Sequence, residues 1–157
     1  PCCDHQVKVI GSRKRKCKTS SGNEMVLIIR RLRCELCKKI HHELPDLLVP
    51  YKRYGAECIE SVVSDSELIH VAADESTLYR WRHWFKHWSP YALRALISIG
   101  FRLQLDMSEQ EASGSAQSTL QRIGHLVGKS SGWLAKVARS LANINLWVHT
   151  RSAFLSK

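Results

Sequence analysis

Nowhere in this sequence does an apolar run approach the roughly 20 residues that cross a bilayer. Its amino end also lacks the basic-then-apolar pattern of a secretory leader. The expectation is a soluble, cytoplasmic protein. Acids run out early, and none follows Glu111. A two-metal nuclease needs three carboxylates on a strand-rich scaffold. Here Asp65, Glu67, Asp74, Glu75, Asp106, Glu109 and Glu111 fall at expected helix ends or in an expected loop. A tyrosine recombinase needs a late tyrosine among Arg and His, and the last tyrosine is Tyr91. No activated-serine recombinase domain fits the chain, and neither a Walker loop nor a dinucleotide glycine pattern occurs. These absences point to a protein that is not an enzyme.

What is there is positive charge. The 157 residues carry 24 Lys/Arg against 14 Asp/Glu, a net charge of +10. Residues 1–53 hold 13 of the basic side chains and 5 of the acidic ones, so most of the excess sits in the amino third. Arg122, Lys129, Lys136, Arg139, Arg151 and Lys157 make the carboxyl end cationic too. Such a field suits a polyanion, with binding that weakens steeply as salt rises. Anionic membrane competes as a partner, but no strongly amphipathic basic terminal helix is visible. The hydrophobic share of 44% is that of a globular chain, long enough for one core or two small lobes.

The amino third alternates. VKVIGSRKRKCK (7–18) and MVLIIRRLR (25–33) are rich in β-branched residues, and TSSGNE between them is turn chemistry with Gly22-Asn23 at its tip. They predict an antiparallel hairpin, with a short third strand near Lys39–Leu44. Cys34 and Cys37 form a C-x-x-C, and Cys2 and Cys3 are adjacent at the start. In a basic intracellular protein that placement suits metal better than disulfides. A lobe of 45 residues has too little core to fold alone, and zinc remedies this. The expected Zn2+ ligands are Cys34, Cys37 and Cys3, with Cys2, His5, His41 or His42 as the fourth. In a C-P-x-C knuckle, Pro1 and Cys3 would take the second and fourth positions, and the first cysteine would precede Pro1. Cys17 and Cys58 read as buried thiols. Arg13-Lys14-Arg15-Lys16, with Arg30, Arg31 and Arg33 across the hairpin, predict one exposed cationic strip for phosphates.

Pro45 and Pro50 bracket an extended connector in which Leu47, Leu48 and Val49 are expected to pack between lobes. Gly55–Val63 reads as a helix with Ile59 and either Val62 or Val63 inward. The stretch 66–88 then reads as a helix-turn-helix: Glu67–Ala73, a break at Asp74, and Glu75 to about His87. Asp74 is an N-cap. Leu78, Trp81 and Phe85 share the buried face, while Ser76, Arg80, His83 and His87 lie opposite, flanked by Thr77 and Tyr79. Ser89-Pro90 predicts a new helix start, with Leu93, Leu96, Ile97 and Gly100 inward. Asp106–Ser118 is a polar loop. Thr119–Val127 and Gly132–Asn143 are helices, the second burying Leu134, Val137, Ala138 and Leu141, and Trp147 and Phe154 dock on the helical lobe or on a partner.

The segments RRLRCELCKKIHHELPDLLVPYKRY, VAADESTLYRWRHWF and NLWVHTRSAFLS resemble an uncharacterised bacterial family linked to insertion-sequence and transposase-related genes, in which a zinc-ribbon-like knuckle precedes a helix-turn-helix. The resemblance implies DNA binding with no established reaction. It maps the knuckle to Cys3, Cys34 and Cys37, and the recognition helix to Glu75–Phe85. The combined expectation is an α+β protein: a β zinc ribbon (1–45), a linker (46–54) and an all-α domain (55–157). Its function would be sequence-specific binding of double-stranded DNA, of a transposase-related or transcription-regulator type, near the nucleoid. Ser76, Thr77, Tyr79, Arg80 and His83 would face base edges. Arg13, Lys14, Arg15, Lys16, Arg30, Arg31, Lys52 and Arg53 would hold phosphates. Competing readings are a non-catalytic subunit that recruits a recombinase or transposase, self-association as a dimer, and RNA binding by the ribbon.

Overall fold

The computed structural model describes residues 6–64, 71–104 and 117–147. Alternating β-branched residues build β1 (Val7–Lys18) and β2 (Glu24–Cys34), which pair antiparallel, and β3 (Ile40–His42) extends the sheet in the order β1-β2-β3. The register pairs Val7 with Cys34 and Lys18 with Glu24, with a bulge between Val9 and Gly11. Gly11 takes φ +140°, a backbone that side chains resist, and so absorbs the extra residue.

Among the described residues four helices follow: α1 (Ala56–Val63), α2 (Glu75–Arg102), α3 (Thr119–Val127) and α4 (Trp133–Asn143). The α+β order of sheet then helices is as expected. Ile59 and Val62 of α1, Trp81, Phe85, Trp88, Leu93 and Leu96 of α2, Ile123 of α3 and Leu134, Val137 and Leu141 of α4 form one core. Phe85 meets Trp133 edge-on at 5.7 Å, and Trp147 lies 5.0 Å from Trp88. Among the described residues no helix is long and apolar enough to cross a membrane.

Two expectations about the middle of the chain are corrected. The helix start expected at Ser89-Pro90 is absent, because α2 runs unbroken through Pro90. Proline removes one N–H and crowds the carbonyl four residues back. Pro90 is exposed, so water can serve the Lys86 carbonyl, while buried Trp88, Ser89, Ala92 and Leu93 hold the helix on both sides. The first helix of the expected helix-turn-helix does not reach Ala73. Residues 71–74 are non-helical, and the Ala72 N–H donates to the Ser20 carbonyl at 2.8 Å. Residues 65–70 lie outside the described residues, as does the expected polar loop apart from Gln117 and Ser118.

The expected linker is part of the framework. Leu48 is buried with Cys17 and Ile29 in a second, small cluster, and Val49 enters the helical core, whereas Leu47 is exposed. The Lys18 N–H donates to Arg53 O at 2.8 Å, Gly55 N–H to Lys18 O at 3.0 Å, and Ala56 N–H to Leu47 O at 2.9 Å. The turn end of the hairpin is therefore sewn to the connector and to the start of α1. Its other end carries Cys34 and, among the described residues, has no comparable apolar support.

Candidate nucleic-acid interface and metal knuckle

Helix α2 begins at a worked cap. Asp74 accepts from the Ser76 hydroxyl at 2.5 Å, the Thr77 N–H at 2.7 Å and the Thr77 hydroxyl at 3.1 Å. Led by the Ser76 hydroxyl, these donors pull the Asp74 carboxyl down to about 2. Because the folded value lies below the ordinary 3.8, the cap stabilises the fold above about pH 4, and the contribution fades as pH falls toward 2. Asp74→Ala is expected to lower the melting temperature near neutral pH. Melts across a pH series should show that deficit closing at the acid end, and a deficit independent of pH would remove the cap as its cause.

Ser76 and Thr77 are thus committed to the cap, and Thr77 is half-buried. Arg80 folds back over them, its Nε donating to Ser76 O at 3.1 Å and a terminal nitrogen to the Thr77 hydroxyl at 2.9 Å. The guanidinium itself stays exposed. Farther along, Tyr79 and His83 stack with ring centroids 6.0 Å apart, and His83 meets His87 at 4.4 Å. Arg82, Lys86 and Arg94 stand on exposed positions of the same helix. Sequence reasoning missed these three, although their signal was present: each is a cation one residue from a core position in the Trp81-Phe85-Leu93 stripe, and so must emerge at the surface.

Strand periodicity corrects the single cationic strip. Side chains alternate between sheet faces, so Arg13 and Arg15 point to one face with Ile29, Leu27 and Arg31, while Lys14, Lys16, Ile28 and Arg30 share the other. Arg15 is half-buried and donates to the carbonyls of Lys52 at 2.8 Å and Val49 at 3.3 Å. The Lys52 ammonium lies 3.9 Å from the Trp84 ring centroid, and burial lowers it to about 8. Arg15 bolts the sheet to the connector and Lys52 bolts the connector to α2, so neither is an open phosphate clamp. Arg30 pairs with Glu43 at 2.5 Å and Lys16 with Glu24 at 2.8 Å. Among the described residues Arg13, Lys14, Arg31 and Arg53 have no carboxylate pair, and Lys14 and Arg53 border a basic recess along β1.

The C-x-x-C forms a tight turn. Lys38 N–H donates to Cys34 O at 3.1 Å, Cys34 N–H to Lys39 O at 3.0 Å, and Lys38 takes φ +60°. Glu35 N–H donates to Gln6 O at 3.2 Å. The register that pairs Leu32 with His41 puts His41 on the face that carries Cys34. The Cys2 and Cys3 expectations lie outside the described residues. Among the described residues no three His, Cys, Asp or Glu side chains converge on one point. Burial pushes the Cys58 thiol up to about 11 and raises that of Cys17, so both stay protonated thiols.

A family described as a domain of unknown function (DUF6431) matches residues 1–81, which comprise the sheet, the connector, α1 and the first two turns of α2. No curated protein and no solved structure matches the chain.

Proposed function

The chain belongs to the DUF6431 family, and we propose that it is a non-enzymatic, sequence-specific binder of duplex DNA. One observation carries the reading. From Ser76 to Arg102, helix α2 contains no acidic side chain, while Arg80, Arg82, His83, Lys86, His87 and Arg94 are all exposed. A single helix of 28 residues extends about 40 Å, ample for lying in a major groove. Arg80, Tyr79 and His83 would meet base edges, Arg82 and Lys86 the flanking phosphates. Lys14, Arg31 and Arg53 would add phosphate contacts and set register.

Zinc belongs to the same proposal. The small core of Cys17, Ile29 and Leu48 supports only the sewn end of the sheet. Toward the Cys34 end, Val7, Val9, Leu36 and Ile40 are all at least 37% exposed, too little burial to hold a sheet together. Cys34 and Cys37, with Cys3 and one of Cys2, His5, His41 or His42, would hold the metal. The Gln6–Glu35 hydrogen bond ties the start of β1 to the C-x-x-C turn, and Cys3 is three residues away, about 10 Å of chain at most. Zinc, when bound, supplies a tetrahedral cross-link in place of the missing core.

Fluorescence anisotropy on short duplexes tests the division of labour. Arg80→Ala is expected to cost roughly 1–3 kcal/mol of binding and to relax sequence preference, whereas Lys14→Ala should weaken every duplex alike. Equal losses on all sequences for both variants would refute it. Ile28 at 71% exposed and Val26 at 52% favour a second reading, a subunit that recruits a recombinase or transposase through the outer sheet face. That reading predicts little duplex affinity at physiological salt, and the first a steep salt slope.

A further inference from the structure

Between one sheet face, the connector and the end of α4 lies a recess of about 880 Å3, the size of a small-molecule site. Arg13, Arg15, Lys52 and Arg53 line it. Among the described residues its one acid is Glu43, already held by both prongs of Arg30. The lining is left with an excess of positive charge, and His42 borders the same space. The carbonyl end of α4 does not oppose an anion strongly, because Asn145 N–H and Leu146 N–H already serve Ala142 O and Leu141 O.

Two aromatic rings, Tyr51 and Trp147, border the same space. Tyr51 is 54% exposed although it is a large ring beside an apolar cluster. Its backbone takes φ +64°, and Asn145, also on the rim, takes φ +62°. A bulky residue in the left-handed region persists only where its neighbours enforce it, and such positions gather at ligand clamps. Here the enforcing contacts are Lys52 N–H to Val49 O at 3.2 Å and the Arg15 guanidinium on Lys52 O at 2.8 Å. The turn that presents Tyr51 is therefore held from below by the same arginine that lines the recess.

We infer that this recess binds a nucleoside phosphate, with the phosphate against Arg13 and Arg53 and the base against the rings of Tyr51 and Trp147. Cations alone suit any anion. The combination of cations, one exposed ring (Tyr51) and one half-buried ring (Trp147), with Asn145 and His42 at the rim, suits an anion that also carries a flat heterocycle. The ligand is a free nucleotide or one nucleotide unit of a single strand. The inference stands apart from duplex recognition by α2 and does not rest on it.

Titration of the full chain with AMP, with inorganic phosphate and with a four-nucleotide single-stranded DNA, followed by tryptophan fluorescence and calorimetry, tests it. Saturable AMP binding is expected, weakened at least tenfold in Tyr51→Gly. Glycine accepts φ +64° freely, so that variant should melt no lower than the parent and the loss cannot be charged to misfolding. Binding of the short strand but not of AMP, with the same loss in Tyr51→Gly, supports the inference and assigns the strand as source. No binding of either probe overturns it. So does binding that Tyr51→Gly leaves unchanged, or displacement of AMP by inorganic phosphate at equal concentration.

Discussion

Glu60→Ala is expected to destabilise the helical core by about 2–5 kcal/mol, enough to unfold a marginal protein. Glu60 sits on α1 and is 6% exposed. Its carboxylate accepts from Gly132 N–H at 2.9 Å and Leu134 N–H at 2.8 Å, the free donors at the start of α4. That helix has no cap of its own, since Gly132 at the N-cap carries no side chain and takes φ +87°. A carboxylate 72 residues earlier in the chain therefore does the capping, where the helix dipole also favours negative charge. Alanine would leave the buried Leu134 N–H and the half-buried Gly132 N–H without this partner, the buried one costing roughly 1–3 kcal/mol. Glutamine keeps the shape but sets an amide N–H against a backbone N–H, so an intermediate loss is expected. Urea unfolding reads this as a lower midpoint at unchanged slope. A midpoint that does not move for alanine would show that the caps are not coupled to stability.

The largest effect is expected from metal. If zinc braces the Cys34 end of the sheet, its binding contributes on the order of 10–16 kcal/mol of apparent free energy, comparable to the whole stability of a domain at about 5–15 kcal/mol. Purified protein should carry near one zinc per chain, and a strong chelator should abolish protection of the β1 and β2 amides against hydrogen exchange. Cys34→Ser should do the same without a chelator, because Cys34 is fully buried and a serine hydroxyl is a far weaker ligand. The α2–α4 amides should keep more protection, since Trp88, Leu134 and Leu141 are buried independently of the sheet. Metal-free protein with an unchanged exchange pattern would remove zinc from the account, and the sheet would then need another source of support at that end.

Much of the fold was legible because its signals are local. Alternating Val, Ile and Leu marked the hairpin, and the spacing of Trp81, Phe85, Leu93 and Leu96 marked the buried face of α2. Asp74 marks a helix start through a side chain that reaches only three residues forward, as the Thr77 bond shows. The candidate site was less legible. A run of cations announces charge but not its commitments: Arg15 is spent on carbonyls 34 and 37 residues away, and Lys52 on the Trp84 ring.

The amino-acid sequence alone determined the elements, their inward faces and the excess of positive charge, because propensity, periodicity and caps act within a turn or two. Only the tertiary structure decided that α2 continues through Pro90, that residues 71–74 are non-helical and meet the hairpin at Ser20, and that Glu60 caps a helix it never touches in sequence. Each of those outcomes depends on a partner brought near by packing, and packing energy outweighs the local preference it overrides.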